Sequence, residues 1–274
     1  METVYGSVAE VADVGPRLRR IVFDVPNLAG LNLPGAGDEA VGIYFPTDQE
    51  TDEPEGRNYT VRHRGPGADQ ITCDFVLHQR GLASDWARQA RVGEKVVLDH
   101  ARSWYRPEPA TDWQLLVADL SGLPALARIM AELPDGSDAT VIVEVAERAD
   151  LDYLPVRPDL AVITTVGTGN GQAPSRLSEL VRAHTHADGR GYCWFAGEAV
   201  ATREVRKHLR AEHGWVADQY DIVGYWRFDS ETWDRRFDAV SDEMVAVYER
   251  ALAEGKGDKL AAEEFDTALE RVGL

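Results

Sequence analysis

The sequence is poor in cysteine, because its 274 residues include only Cys73 and Cys193. The two cysteines are far apart, each lies in a strand-like apolar run, and neither belongs to a C-x-x-C pair. Clusters of iron and sulfur are held in proteins by several cysteine thiolates. The cysteine content therefore excludes a protein-ligated iron–sulfur cluster, and any electron transfer needs another carrier.

Long apolar segments and positive charge are also scarce. No run of 18 apolar residues could span a membrane, and no apolar run near the N-terminus resembles a signal peptide. Only four of the 29 basic residues are lysines, and the formal net charge of −18 disfavours nucleic acid and anionic membranes as partners. We therefore expect a cytoplasmic protein, without membrane insertion, that is a monomer.

The first part of the chain has the pattern of an antiparallel barrel. From residue 4 to about residue 98, short apolar runs such as 18–25 and 41–45 alternate with turns that contain Gly, Pro and Asp. The acidic stretch 47–56 contains Pro54 and is predicted to be a mobile loop. We assign residues 1–107 to this domain.

Strand and helix patterns alternate from residue 113 onward. Apolar runs at 114–118, 140–145 and 160–165 predict strands, and the segments that begin at 121 and at about 177 predict helices. This order indicates a small parallel α/β domain, assigned to residues 112–228, with its ligand at the carboxyl ends of the strands. Helical spacing of apolar residues in 229–274 predicts a tail of two helices that packs against this domain.

One strand of the predicted barrel carries two guanidinium groups, a phenol and a hydroxyl. Alternation along the strand places Arg57, Tyr59 and Val61 on one face, and Asn58, Thr60 and Arg62 on the other. A guanidinium suits a pyrophosphate, an aromatic ring suits a planar ring system, and a hydroxyl suits a ring nitrogen. FAD has all three parts, although these residue types are also common on half-exposed strands.

A strand, a glycine turn and a helix start follow in residues 74–87. His78 ends the strand, Gly81 forms the turn, and Ala83 and Ser84 begin the helix. Small residues at a helix N-terminus let backbone N–H groups approach a phosphate closely, and the helix dipole favours that charge. This segment is predicted to complete a pyrophosphate site.

Two later segments, 194–199 and 224–227, complete an ordered set of four motifs. With these motifs the chain, from about residue 4 to residue 228, resembles the siderophore-interacting protein family, the flavin-dependent ferric-siderophore reductases related to ferredoxin reductases. The resemblance implies an N-terminal β-barrel that binds FAD and a C-terminal α/β domain that binds NADH or NADPH. The implied reaction passes a hydride to the flavin and then single electrons to Fe(III) of a ferric siderophore.

The resemblance also implies roles for individual residues. Tyr59, Thr60 and Trp226 would lie at the flavin ring and act in catalysis. The residues predicted to bind a cofactor are Arg57, Tyr59, Thr60, Arg62, His78, Gly81, Ala83, Ser84, Asp119, Gly197 and Glu198. For His78, a satisfied barrel histidine is an equal alternative. No residue is predicted to bind a metal, since His184 and His186 have no third ligand nearby in sequence and are interpreted as a surface turn.

The chain departs from the family pattern at several positions. The loop 118–125 retains Asp119 but lacks a glutamate and a glycine, so weaker nicotinamide binding is expected. Gly42 stands where the family often has a lysine, which favours a less anionic ligand such as a hydroxamate complex. The glycine loop 167–174 lines the nicotinamide cleft or forms a structural turn.

Two further observations concern the cofactor and the activity. Glu144 and Glu147 suggest NADH, whereas Arg148 beside them argues against that preference. A general NAD(P)H:flavin or quinone reductase, and a flavin-containing siderophore-binding protein without turnover, are the alternative functions.

Overall fold

A computed structural model describes residues 3–46, 55–65, 69–78 and 81–274. Most of the acidic loop predicted to be mobile, residues 47–54, lies outside the described residues. No helix of the described chain has the length and apolar content needed to cross a membrane.

The N-terminal part is a closed antiparallel barrel, as predicted. Its strands are β1 (Val4–Gly15), β2 (Leu18–Asp24), β3 (Ala40–Tyr44), β4 (Gly56–Arg64), β5 (Gln70–Val76) and β6 (Lys95–Arg102). They pair in the order β1-β2-β5-β4-β3-β6. Alternate side chains such as Ile21, Phe23, Ile71 and Phe75 point inward and are fully buried, which explains the period-two pattern of the sequence. Helix α1 (Leu82–Gln89) connects β5 to β6.

The second part is a parallel sheet covered by helices, again as predicted. Its elements are β7 (Trp113–Ala118), α2 (Leu123–Glu132), β8 (Ala139–Val145), β9 (Ala161–Val166), α3 (Leu177–Ala183), β10 (Gly191–Glu198), α4 (Ala199–Ala211) and β11 (Tyr220–Trp226). The strands lie in the order β11-β10-β7-β8-β9. The central strands are buried on both faces, which accounts for their continuous apolar runs.

The tail differs from the prediction of two helices. Within the described chain it forms α5 (Ser230–Asp238), α6 (Ser241–Ala253) and α7 (Asp258–Arg271), because the first predicted helix is interrupted at Ala239 and Val240. Apolar spacing alone could not reveal this break, because Phe237, Val240 and Met244 all join one apolar cluster inside the tail.

The tail contacts the α/β domain mainly through charged groups, and of its apolar stripe Trp233 lies under the guanidinium of Arg227, 4.4 Å from the ring centroid. Asp266 of α7 accepts hydrogen bonds from Arg203 (2.7 Å) and Arg206 (2.5 Å) of α4. Glu263 accepts from Arg210 (2.7 Å) and from the hydroxyl of Tyr220 (2.9 Å). The tail therefore packs against the α/β domain, as expected. The apolar residues expected to form this contact pack mainly against one another.

Two consecutive buried carboxylates join the barrel to the sheet. The Asp38 carboxylate accepts hydrogen bonds from Ser103 Oγ (2.8 Å), the backbone N–H groups of Trp104 (3.1 Å) and Tyr105 (2.8 Å), and Trp194 Nε1 (3.0 Å). The Glu39 carboxylate accepts from Arg64 of β4 (2.9 Å) and Arg128 of α2 (2.8 Å). This segment before β3 therefore fixes the barrel relative to the α/β domain.

Candidate functional site

Strand β4 presents the residues predicted to bind FAD. Arg57 is exposed, and its guanidinium contacts only the carbonyl of Gly56 (2.8 Å) and the carboxylate of Glu55 (3.4 Å) within the described chain. Tyr59 stacks on Phe75 with a centroid distance of 4.0 Å, and burial raises the pKa of its phenol. Thr60 is buried. Arg57 thus extends toward solvent, while Tyr59 is held rigidly against the barrel core.

Arg62 lies on the side of β4 that faces the α/β domain. Its guanidinium carbon lies 5.9 Å from the ring centroid of Tyr153, and its Nε is buried with no hydrogen-bond partner among the described residues. A buried, unsatisfied guanidinium nitrogen is costly unless a ligand or water accepts from it. The Arg62 side chain therefore suits an anionic ligand between the two domains.

The start of α1 has the backbone geometry of a phosphate site. Gly81 has φ of 128°, and a Cβ at this position would meet nothing within 4 Å. The Ser84 hydroxyl accepts from the backbone N–H of His78 (3.0 Å) and donates to the carbonyl of Val76 (3.4 Å). The hydroxyl thus holds the turn itself, which leaves the N–H groups of the first helical turn to face a ligand.

His78 lies beside this turn as an uncharged ring. Burial lowers the pKa of His78, and the nearby Arg88 guanidinium lowers it further. A neutral imidazole can donate one hydrogen bond to a phosphate but adds no charge. Whether His78 and Ala83 contact the cofactor therefore stays a prediction.

Tyr225 of β11 approaches Thr60 of β4 at the junction of the two domains. The buried hydroxyl of Tyr225 faces Thr60 without hydrogen-bond geometry, and no partner for it exists among the described residues. Burial raises the pKa of this phenol well above its ordinary value. The ring of Trp104 lies 6.2 Å from that of Tyr225. The unsatisfied Tyr225 hydroxyl and Arg62 Nε, with the open space before Gly81, fit a polar, planar, anionic group such as FAD.

A cleft of about 390 Å³ opens at the carboxyl ends of the parallel strands. The glycine loop 169–175 forms one wall, and Glu198, Val200, Trp226 and Phe228 form the other. This is the edge at which a parallel α/β sheet binds its ligand. The structure therefore gives the glycine loop a place in the wall of a cleft.

Trp226 is held at this cleft by Asp119. The indole Nε1 donates to Asp119 Oδ2 (2.6 Å), and Ser121 donates to Oδ1 through its backbone N–H (2.8 Å) and its hydroxyl (2.5 Å). Burial raises the pKa of Asp119 to about 6, although the hydrogen bonds from Ser121 and Trp226 oppose that rise. The carboxylate is fully engaged within the protein, so Asp119 positions Trp226 rather than reaching into the cleft.

Gly197 and Glu198 lie at the end of β10, next to Asp119 and the cleft. A Cβ at Gly197 would lie 3.0 Å from Asp119 Oδ2, so a glycine permits the close approach of β10. Glu198 accepts hydrogen bonds from the N–H groups of Val200 (2.6 Å) and Ala201 (3.2 Å), and thereby caps α4. Of these two predicted cofactor-binding residues, Glu198 lines the cleft, and Gly197 lies beneath it.

Glu144 anchors the glycine loop from below. Its buried carboxylate accepts from Thr168 Oγ1 (2.8 Å) and from the N–H of Arg176 (2.8 Å), and a Cβ at Gly169 would lie 1.8 Å from its Oε2. Glu147 forms an ion pair with Arg17. Glu144 is buried beneath the loop and Glu147 is paired with Arg17, so the preference for NADH suggested by the sequence stays a prediction.

The lack of a side chain at Gly42 has a structural explanation that the sequence did not reveal. A Cβ at this position would lie 2.7 Å from the ring of His100, which bulges out of β6 with φ of 28°. The imidazole of His100 therefore occupies the space that a larger side chain at position 42 would need.

Sequence reasoning missed Tyr225, Trp104 and Asp38. Tyr225 could have been found, because it directly precedes Trp226 in the motif 224–227. Trp104 and Asp38 have no local signal, since their partners lie far away in the chain.

Comparison with known proteins identifies both parts of the chain. Residues 111–229 match the family model "Siderophore-interacting protein", and residues 44–102 match "Siderophore-interacting FAD-binding domain". The NADPH-dependent ferric-chelate reductase of Escherichia coli is 28% identical over 80% of this chain and 91% of its own length.

Solved structures agree with this fold. The siderophore-interacting protein of Acinetobacter baumannii superposes with a TM-score of 0.75 at 24% identity, over 89% of this chain and 99% of that one. A ferredoxin NADP⁺ reductase from Neisseria gonorrhoeae, solved with FAD and NADP, has a TM-score of 0.65 at 16% identity, over 82% of this chain and all of that one. The fold is therefore that of ferredoxin reductases.

Proposed function

Because the chain belongs to the siderophore-interacting protein family, we propose that it passes electrons from NAD(P)H through FAD to siderophore-bound Fe(III) and so releases Fe(II) in the cytoplasm. The observation that carries this proposal is the contact of Thr60 in β4 with Tyr225, which directly precedes Trp226 of the cleft wall. It brings the predicted flavin strand of the barrel to the edge of the cleft in the α/β domain. The name of the Escherichia coli relative supports NADPH as one donor.

The position of each group in the site suggests its role in binding FAD or in electron transfer. Arg57, Arg62 and the N-terminus of α1 would hold the pyrophosphate of FAD, and Tyr59 would hold its ring system. Thr60 offers a hydroxyl to the ring edge, since it lies where the domains meet. FAD held by these residues would supply the chemistry that links a two-electron nicotinamide donor to a one-electron acceptor. Siderophore oxygens are hard ligands that suit Fe(III), so reduction to Fe(II) weakens the complex.

Trp226 controls access to this arrangement from the cleft. Its indole is fixed by Asp119 and lies against the glycine loop, where a Cβ at Gly171 would be 3.9 Å from the ring. A nicotinamide that enters the cleft must pass this ring to reach the domain junction. Trp226 therefore orients the donor and excludes water, and Asp119 keeps the indole in place.

Anaerobic stopped-flow reduction tests the proposed function and separates it from its alternatives. The flavin of the purified protein should be bleached by NADPH or NADH and reoxidised by ferric siderophores, with Fe(II) captured by a chelator. A flavin-containing binding protein would show no reduction by either nucleotide. A general reductase would reduce quinones or free flavin at least as fast as any ferric siderophore, and that result would overturn the proposal.

Replacing Arg57 by alanine should weaken FAD binding by about 1.5–3 kcal/mol, the range for a charge-assisted hydrogen bond. Among the described residues the exposed guanidinium contacts just the Gly56 carbonyl and the exposed Glu55 carboxylate, so most of its hydrogen-bonding capacity is open to a ligand. Reconstitution of the apoprotein, followed by flavin fluorescence, measures the loss. Arg91→Ala is the control, because Arg91 is equally exposed but lies at the far end of α1. Equal affinities of the two variants would remove Arg57 from the site.

Hydroxamate complexes should be reduced faster than highly anionic catecholate complexes. Gly42 lacks the expected positive charge, Arg64 is neutralised by buried Glu39, and the net charge of −18 repels a trianion within about a Debye length of 8 Å. Rates for both ligand classes at low and high salt measure the effect. A catecholate preference that fades with salt would contradict this prediction.

A double substitution provides the sharper comparison. Gly42→Lys alone meets the ring of His100, so it should be combined with His100→Gly to make room. If charge at this position sets the preference, the double variant should gain relative rate on catecholate complexes, and His100→Gly alone should not.

A further inference from the structure

Three histidines converge at the edge of the parallel sheet opposite the nucleotide cleft. His186 follows α3, His208 lies in α4, and His213 follows α4. One imidazole nitrogen of each lies within 4.8 Å of those of the other two. The ring of His186 stacks on Trp113, the first residue of β7, which places the cluster at the amino ends of the strands.

Most of the buried nitrogens of this cluster lack protein partners. Within the described chain, neither ring nitrogen of His186 has a hydrogen bond, nor has Nε2 of His208, although these atoms are buried, whereas Nδ1 of His208 lies 3.0 Å from the Glu212 carboxylate. His208 is only 4% exposed. Buried polar groups are nearly always satisfied, so facing nitrogens without partners indicate a ligand that binds between them.

We propose that His186, His208 and His213 bind a divalent transition-metal ion. Three imidazoles suit Zn²⁺, Ni²⁺ or Cu²⁺, whereas Mg²⁺ and Ca²⁺ prefer oxygen ligands. The carboxylate of Glu212 lies 3.0 Å from His208 Nδ1 and orients that ring. Water completes the coordination.

The present distances require a small adjustment on binding. Zinc–nitrogen distances of about 2.0–2.1 Å place the ligand nitrogens about 3.4 Å apart in a tetrahedral site. His213 is the exposed member of the cluster, and Gly214 follows it with φ of 68°. The adjustment therefore falls to His213, the exposed member, rather than to His208, which is buried.

The site lies away from the path proposed for electrons. It joins the segment after α3 to α4, and the rings of Trp113 and Trp215 pack against His186. A bound ion therefore stabilises this end of the sheet, and it should raise the melting temperature by mass action. Both tryptophans should report binding through their fluorescence.

Titration of the flavin-loaded full chain, prepared without a histidine tag and freed of metals with a chelator, tests the proposal. Zn²⁺ should bind with a stoichiometry of one per chain by calorimetry, change the tryptophan fluorescence and raise the melting temperature. Mg²⁺ should do none of these. An absence of saturable Zn²⁺ binding would overturn the proposal.

Two variants identify the ligands. His213→Gln alters an exposed residue, so the fold should survive, and Zn²⁺ affinity should fall by more than the roughly tenfold loss typical of an outer-shell change. His186→Gln combined with His213→Gln should abolish the one-to-one binding. His63→Gln, an exposed barrel histidine, is the control and should bind as the unaltered protein does. If the cluster variants also bind Zn²⁺ unchanged, the ion lies elsewhere and the proposal fails.

Discussion

Replacing Asp38 by alanine should lower the free energy of unfolding by about 3–5 kcal/mol. The carboxylate satisfies four donors, which belong to the interdomain connection and to β10, and all of them would lose their acceptor at once. Each buried donor left unsatisfied costs about 1–3 kcal/mol, although such costs do not add fully. Urea unfolding monitored by circular dichroism measures the loss.

Two further variants show whether the loss of stability comes from the hydrogen bonds that Asp38 accepts. Asp138→Ala removes an exposed carboxyl group of the same type and should alter stability by no more than about 0.5 kcal/mol. Asp38→Asn keeps the shape but turns an amide N–H₂ toward buried donors, so it should also be destabilising. A fully stable Asp38→Asn protein would mean that packing, and not hydrogen bonding, holds the two domains together.

The stability of the protein should depend on the ionisation of Asp119. Its pKa in the folded protein is about 6, mainly because of burial, against 3.8 in an exposed aspartate. Since the folded value is the higher one, the stability that the neutral carboxyl contributes is complete below pH 3.8 and is lost as the pH rises through about 6. The difference corresponds to about 3 kcal/mol.

Asp119→Asn isolates this contribution, because an amide cannot ionise in this range. The stability of the unaltered protein, minus that of the variant, should fall by about 3 kcal/mol between pH 3 and pH 8. Asp138→Asn should run parallel to the unaltered protein. Denaturant unfolding at several pH values gives these curves, and a constant difference for Asp119→Asn would show that the carboxyl group titrates normally.

The fold was predictable because both domains carry their pattern locally. Alternating residues such as Ile21 and Phe23 identify barrel strands, and the continuous apolar run of β7 identifies a strand buried on both faces. The tail was less predictable, since the apolar spacing continues through the break at Val240. What the tail contacts could not be inferred from that spacing, because its contacts with α4 are made by Asp266 and Glu263.

The site was predictable only in part, for a related reason. The motif residues Arg57 and Trp226 were identifiable because their neighbours in sequence belong to the same motif. Asp119 was expected to bind a cofactor, yet its carboxylate is held by Trp226, which lies far along the chain. The histidine cluster was missed because His186 finds its partners on another helix. Local sequence identifies chemical groups, whereas the fold decides which of them face each other.

The pairing of Glu39 with Arg128 has a consequence for how the chain folds. Arg128 of α2 is almost fully buried, and it donates both to Glu39 and to the carbonyl of Val61 in the barrel. An isolated barrel would keep Arg64 beside Glu39 but lose Arg128, and an isolated α/β domain would hold Arg128 without either of its barrel acceptors. The barrel and the sheet should therefore fold as one cooperative unit rather than as two independent modules joined by a linker.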